Sequence, residues 1–476
     1  MANPLTPDIC VIGAGSGGLT VAAAAASFGV PVVLIEKGKM GGDCLNYGCV
    51  PSKALLAAAK HVQSAREARD FGILGLDEPA IDMRRVNDHV RGVIASIAHN
   101  DSEERFTALG VHVIRAAARF VDGETITAGG QTIRARRFVI ATGSSPLVPP
   151  IPGLDAVDYF TNETIVENRR KLPHLLIIGG GPIGLEMAQA HRRLGSAVTV
   201  VEAFGALGKD DPEMAAIVLE RLRAESIAIH ENTKVTGVER RGKTGVRLNV
   251  EGEAGKFGVD GSDLLVAAGR AANVDGLGMD AAKIAFDRNG IKVDGALRTT
   301  NRRVYAIGDV VGALQFTHVA GYHAGIVIRS LLFRLPARPD HAIVPWVTFT
   351  DPELAQAGMT EEAARGRFRA IRVLRWPYHE NDRAQAERRT EGHVKVVTDA
   401  KGRILGAAIA GASAGELIHV WALAIAKKMR IRDLTGYVAP YPTLGEINRR
   451  AAVSYFAPYA RKPFVRWLVG FLRKFG

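Results

Sequence analysis

The segment GGDCLNYGCVPSK, residues 41–53, carries two of the chain's three cysteines, five positions apart. Thiols this close can form a reversible disulfide, hold a soft metal ion or staple the fold. The run that follows, VPSKALLAAAKHVQSAREA, is helical in character, with Pro51 near its first turn. Cys44 and Cys49 are therefore expected at or near a helix N-terminus, where the helix dipole stabilises a thiolate. No further ligand stands nearby at metal-binding spacing, so no metal site is expected. Three cysteines cannot build a secreted disulfide scaffold. The pair reads as redox-active thiols in a reducing compartment, and Cys10 as a small buried hydrophobe.

The elements around this pair are set by glycines. DICVIGAGSGGLTVAAAAASFGVPVVLIEKG reads as strand, turn, helix and strand, with Gly13, Gly15 and Gly18 in a G-x-G-x-x-G turn and Glu36 closing the second strand. The first glycine permits the tight turn, the second admits a pyrophosphate to the backbone, and the third lets helix and strand pack closely. The acid after the second strand suits ribose hydroxyls. HLLIIGGGPIGLEMAQAHRRLGSAVTVVEAF repeats the unit with Gly179, Gly181, Gly184 and Glu202. Glycine to acid is 23 positions in both copies, which lie 166 residues apart. Two such cradles imply two dinucleotides and electron traffic between them. Glu202 accepts from a free 2′-hydroxyl and repels a 2′-phosphate, and the next basic residue is Lys209, so NAD(H) is expected rather than its phosphorylated form.

At 476 residues the chain is long enough for about three domains. Its 47% hydrophobic and 23% charged content is that of a folded globular protein rather than a disordered one. The formal charge of +12 favours anionic partners: nucleotide phosphates, an acidic protein or a membrane surface. No aromatic-plus-basic patch or zinc-type spacing argues for nucleic acid. Residues 9–35 lack any charge, yet their glycine cluster and Pro31 fit a buried strand–turn–helix–strand better than a membrane span. No signal-peptide n-region precedes them, and a cytoplasmic location is expected.

GGDCLNYGCVPSK closely resembles the active-site motif of the class I pyridine nucleotide–disulfide oxidoreductases, the flavoproteins that include dihydrolipoamide dehydrogenase, glutathione reductase and mercuric reductase. Further stretches extend the resemblance over roughly residues 8–450. VIATGSSPLVPPIPG, with Thr142 and Gly143, resembles the second flavin-domain motif. LLVAAGRAANV, with Gly269, resembles the return from the nicotinamide domain. VYAIGDVVG, with Gly308 and Asp309, resembles the strand that meets the flavin ribityl chain, and His318 follows it. VPWVTFTDPELAQAG resembles the opening of the dimerisation domain.

The resemblance implies an α/β fold: two Rossmann-like dinucleotide-binding domains, for FAD and NAD(H), and a C-terminal α+β dimerisation domain. The expected boundaries are 1–150 and 271–345 for the FAD domain, 151–270 for the nicotinamide domain, 346–455 for the dimerisation domain and 456–476 for a basic tail. Electrons would pass from NADH through FAD to a Cys44–Cys49 disulfide and on to a small-molecule or lipoyl disulfide. Gly42 and Lys53 would lie near the flavin, Lys53 would pair with Glu186, and Cys49 would face the flavin while Cys44 exchanges with substrate. Pro182 stands where glutathione reductase has a gating tyrosine. A homodimer is implied, with Tyr441 and Glu446 reaching the other subunit's cysteines.

APYPTLGE, residues 439–446, departs from the lipoamide pattern. The histidine expected before Pro-Thr is Tyr441, and the one two positions earlier is Ala439, whereas Glu446 is retained. Histidine accepts and returns protons at neutral pH, whereas tyrosine, titrating near 10, is a donor but hardly a base. A tyrosine here resembles mercuric reductase, whose acceptor is a soft metal ion bound by thiolates. No second cysteine pair follows Cys49, however. A third expectation is a membrane-attached flavoprotein acting mainly through a protein partner.

The tail carries that last idea. From Pro463, Phe464, Trp467, Leu468, Phe471, Leu472 and Phe475 fall on one helical face, accompanied by Arg461, Lys462, Arg466, Arg473 and Lys474. The pattern is too short and too charged to span a bilayer. It fits peripheral binding to an anionic surface on the inner face of a membrane, or docking on protein.

Overall fold

All four side chains of the apolar run Ile9–Ile12 are buried, as in a strand covered on both faces. The computed structural model describes residues 3–76, 78–242, 245–312 and 314–475. In it this strand is the centre of a five-stranded parallel sheet, ordered Val304–Ala306, Arg137–Ile140, Ile9–Ile12, Val32–Ile35, His112–Ile114. The helix Ser16–Ser27 leaves the first glycine turn and packs against the helix Thr317–Phe333. Cys10 is fully buried in the core of this sheet.

The second glycine turn builds a second sheet, ordered Ala228–His230, Ala197–Val201, His174–Ile178, Asp263–Val266, with the helix Pro182–Arg193 following the turn. Its last three strands run parallel. An antiparallel layer, Lys234–Arg241, Gly245–Gly252 and Gly255–Gly261, adjoins it. The architecture is α/β with two Rossmann-like cores, as the glycine turns imply. These elements form one compact unit, residues 1–203 with 229–341.

A second unit comprises residues 204–228 with 342–476. Its core is a five-stranded antiparallel sheet, ordered Pro345–Thr348, Glu353–Gly358, Ile404–Gly411, His393–Asp399, Ile371–Pro377. Trp421 is fully buried beneath it and donates to Asn448 Oδ1 at 2.7 Å. The segment 204–228 buries Met214, Val218 and Leu222 of its helix and is also held by charge. Lys395, on a central strand and almost wholly buried, donates to both carboxylate oxygens of Asp211 at 2.9 and 2.8 Å. It also meets Glu213 at 2.8 Å and Glu361 at 2.9 Å. Arg375 closes the cluster with a two-pronged bond to Glu213 at 2.6 and 2.7 Å. Asp211 also caps the helix Pro212–Ala224 through the backbone N–H of Glu213. Burying a lysine demands such partners, because an unpaired ammonium in an apolar core is prohibitively desolvated.

Among the described residues no helix is long and apolar enough to cross a membrane.

Candidate active site

The two glycine turns share one geometry. Gly13 and Gly179 hold φ of 106° and 115°, and a Cβ on either would stand 2.4 or 2.3 Å from a carbonyl oxygen of the adjacent strand end. At the third positions, Gly18 and Gly184, a Cβ would collide with the carbonyl of the first glycine at 1.9 and 2.0 Å. At the second positions the outside is open: nothing lies closer than 3.9 Å to such an atom at Gly15, and nothing within 4 Å at Gly181. That is the shape a pyrophosphate requires at a helix N-terminus. Each closing acid leans over its own turn. Glu36 accepts from the N–H of Ala14 at 2.6 Å and of Gly38 at 2.6 Å, and Glu202 accepts from the N–H of Gly180 at 2.7 Å. The residues present thus fit two dinucleotides.

The cysteines are presented beside the first turn. Gly42 packs so tightly on Gly15 that a Cβ there would stand 2.7 Å from the Gly15 Cα. Cys44 lies in the short helix Gly42–Asn46, and Cys49 is the first residue of the helix Cys49–Glu67. Both are free thiols. The Cys49 thiol is lowered to about 6, first by its hydrogen bond with Cys44 and then by Thr317 and Lys53, against the opposing effect of burial. Cys44 is pushed up, first by that same hydrogen bond and then by burial. The hydrogen bond between them thus favours the thiolate at Cys49 and the thiol at Cys44. Thr317 Oγ1 lies 3.3 Å from Cys49 Sγ. Lys53, one turn beyond Cys49, donates to Glu186 at 2.8 Å, and Glu186 is buried on the helix that leaves the second glycine turn. This ion pair joins the cysteine helix of one cradle to the helix of the other.

Residues that sequence reasoning did not single out complete the site. Arg270, nearly buried, donates to Ser144 Oγ at 2.7 Å and to the Ser144 carbonyl at 2.8 Å, and lies 3.2 Å from Asp43 beside Cys44. Ser144 in turn donates to Asp309 at 2.6 Å. Burial raises the Asp309 carboxyl, with Ser144 and Arg270 opposing. Asn273 clasps the turn before Ser144: its N–H donates to the Gly143 carbonyl at 3.0 Å, its side chain donates to the Thr142 carbonyl at 3.0 Å, and its carbonyl accepts from Thr142 Oγ1 at 2.8 Å. The Gly269 carbonyl accepts from the N–H of Leu147 at 2.9 Å, pinning the same loop. Gly308 donates to the buried His323 at 3.3 Å, and His318 stacks on Phe316 with ring centroids 5.2 Å apart. The signal for Arg270 was present in LLVAAGRAANV, an arginine among small residues after a buried strand.

Tyr441 and Glu446 belong to the second unit. Tyr441 is exposed and its hydroxyl donates to Asp382 at 2.9 Å. That bond and the negative charge of Asp382 raise its pKa further above 10. Glu446 opens the helix Glu446–Ser454 and stands 4.0 Å from Arg450. The phenol's hydrogen-bond partner is thus Asp382 rather than the glutamate five positions on.

Residues 7–324 match the pyridine nucleotide-disulphide oxidoreductase model, and residues 344–452 match the dimerisation domain of the same family. The chain belongs to that family. It is 34% identical over 461 residues to a mercuric reductase of Streptomyces lividans, covering 95% of this chain and 97% of the relative. It is 33% identical over 453 residues to a dihydrolipoyl dehydrogenase of Geobacillus stearothermophilus, covering 94% and 95%. Among solved structures it resembles the HOCl-induced flavoprotein disulfide reductase RclA of Escherichia coli, with a TM-score of 0.84 and 28% identity over 94% of this chain and 99% of that one. A Cu(II) complex of RclA matches with a TM-score of 0.83 and 27% identity. The chain is thus an oxidoreductase of a flavin-dependent family that uses NAD(P)H, and it carries that family's dimerisation domain.

Proposed function

We propose that this protein is an FAD-dependent, NADH-preferring reductase that cycles a Cys44–Cys49 disulfide and delivers electrons to a small-molecule or lipoyl disulfide. The carrying observation is the pair of free thiols, Cys49 opening a helix with Thr317 Oγ1 3.3 Å from its sulfur, tied through Lys53 and Glu186 to the second nucleotide turn. Gly13, Gly15, Gly18, Glu36, Gly42, Thr142, Gly143, Gly308, Asp309 and His318 would hold FAD. Gly179, Gly181, Gly184, Glu202 and Gly269 would serve NADH. When bound, FAD supplies the two-electron relay between NADH and the disulfide.

The chain's own residues do the sulfur chemistry. The Cys44 proton passes to the Cys49 thiolate, the Cys44 thiolate so formed attacks one sulfur of the acceptor, the acceptor's S–S bond breaks, and the departing thiolate takes the proton back from Cys49. The Cys49 thiolate then attacks Cys44, breaking the mixed disulfide and releasing the second thiolate, which is protonated by solvent or by the Tyr441 phenol. The acceptor gains two electrons and the Cys44–Cys49 disulfide forms, to be reduced again at the expense of NADH. In a homodimer, Tyr441 and Glu446 of one subunit would stand over the cysteines of the other.

A second reading rests on Tyr441. A phenol held by Asp382 and titrating above 10 is a donor, not a base, and reduction of a thiolate-bound soft metal ion needs no base at that position. The similarity to mercuric reductases and to a protein solved with Cu(II) supports it. NADH oxidation by the FAD-loaded protein, with lipoamide and then Hg(II) as acceptor beside Cys44→Ser, tests the proposal. Cys44-dependent turnover with lipoamide upholds the first reading. Turnover with the metal alone replaces it with the second, and turnover unaffected by Cys44→Ser refutes both.

A further inference from the structure

The last turns of the chain are largely exposed among the described residues. After Tyr455, buried in the second unit's core, every described residue from 456 to 475 is exposed except the half-buried Val465. The helix Pro463–Leu472 is nonetheless formed, with a final turn at Arg473–Phe475. A ten-residue helix is marginal by itself in water, so an exposed apolar face on it needs an explanation.

The two faces differ in kind. Phe464, Trp467 and Phe471 stack in sequence with centroids 5.9 and 5.8 Å apart, and Phe475 joins Phe471 at 5.0 Å. With Leu468 and Leu472 they make a continuous apolar strip, and Phe464, Trp467 and Phe475 are 67%, 63% and 72% exposed. At 100° per residue Lys462, Arg466 and Arg473 lie on the side opposite this strip, and Lys474 flanks it. No Asp or Glu occurs in residues 455–476. Crossing a bilayer is ruled out for this segment, because ten residues at about 1.5 Å each reach about 15 Å, half of the ~30 Å hydrocarbon core. A short helix with Trp and Phe on one face and cations as the only charges on the other has the form that lies in the headgroup layer of an anionic membrane. The aromatic rings would enter the acyl boundary, and the arginines and lysines would reach the phosphates.

We infer that the helix Pro463–Leu472 with its flanking cations docks the protein peripherally on anionic lipid. An acidic protein surface would match the charge, but it would not require a strip of four aromatic rings facing one way. Lipid offers both an apolar layer and a plane of negative charge.

The test is sedimentation of the full-length, FAD-loaded protein with vesicles of phosphatidylcholine, alone or mixed with phosphatidylglycerol, while the emission of Trp467 is followed against Trp467→Phe. The expected result is binding to the mixed vesicles only, weakened by salt, with a blue shift that Trp467→Phe abolishes. Arg466→Glu/Arg473→Glu/Lys474→Glu should lower the partition coefficient by at least about a hundredfold, at roughly fivefold for each basic side chain lost. Phe464→Ser/Trp467→Ser/Phe471→Ser should abolish binding while NADH oxidation is unchanged, because none of these residues belongs to the thiol pair or the glycine turns. Equal binding to neutral vesicles overturns the inference, as does undiminished binding after deletion of residues 457–476. A change in oligomeric state on the aromatic substitutions, without vesicle binding by the parent, also overturns it and shows the helix packing between copies of the chain.

Discussion

Cys44→Ala tests how the thiol pair divides its charge. The hydrogen bond from Cys44 is the largest influence lowering Cys49, ahead of Thr317 and Lys53. Removing it should move the Cys49 midpoint from about 6 well toward the ordinary thiol value of 9.0, because burial then opposes only the two weaker contributions. At pH 7 a thiol of pKa about 6 is roughly nine-tenths thiolate, and one of pKa 9 about one-hundredth. The alkylation rate falls less than that ratio, because a more basic thiolate is a better nucleophile. With a Brønsted slope of about 0.45 the full shift would slow iodoacetamide at pH 7 only roughly fourfold. The pH midpoint is therefore the decisive readout. Alkylation of the reduced protein would be followed from pH 4 to 10 by mass spectrometry of the Cys49 peptide, and Cys10 stays silent because burial pushes its thiol up. A parent midpoint near 9, or one that Cys44→Ala leaves unmoved, would refute the division of charge.

Further outcomes follow from other parts of the structure. Lys395→Met leaves Asp211 buried without its cation and should cost about 3–5 kcal/mol of stability in urea unfolding; a loss below 1 kcal/mol would show the cluster to be weakly coupled. The Glu213 carboxyl is lowered from 4.5 to about 2, first by Arg375 and then by Lys395. Its stabilising contribution is thus complete above about pH 4.5 and lost as pH falls toward 2, so Glu213→Gln should flatten the pH dependence of stability in that window. Glu202→Ala should raise the KM for NADH about ten- to a hundredfold, as for a lost hydrogen bond to a charged group, and leave that for NADPH unchanged or lower. Tyr441 is exposed, so Tyr441→Phe should alter stability by less than about 0.5 kcal/mol; reduced acceptor turnover with unchanged NADH-to-flavin transfer would locate its role in the acceptor step.

The parts of the site legible in the sequence are those whose chemistry demands certain residue types at short spacing. Each glycine turn and its acid lie within one strand–helix–strand unit, and the cysteines sit within one loop. Their positions follow from local geometry alone. The Lys53–Glu186 pair came only through the family resemblance, since no local pattern links residues 133 positions apart. Ser144, Arg270 and Thr317 were not legible, because they reach the site across 165, 126 and 268 residues of intervening chain. Asp382 escaped for the same reason: it meets Tyr441 across 59 residues. The association of residues 204–228 with the C-terminal unit rests in part on a lysine buried in a strand, which a hydropathy pattern reads as an exposed position. The tail helix was legible because its amphipathic period is written in the local sequence alone.

Reducing power from NADH is proposed to reach the cysteine pair. Anaerobic titration of the oxidised, FAD-loaded protein with NADH, followed by thiol trapping and peptide mapping, measures it directly. The expected result is that Cys44 and Cys49 together change from disulfide to alkylated thiol as NADH is consumed. Bleaching of the flavin by NADH with the Cys44–Cys49 disulfide left intact would contradict it.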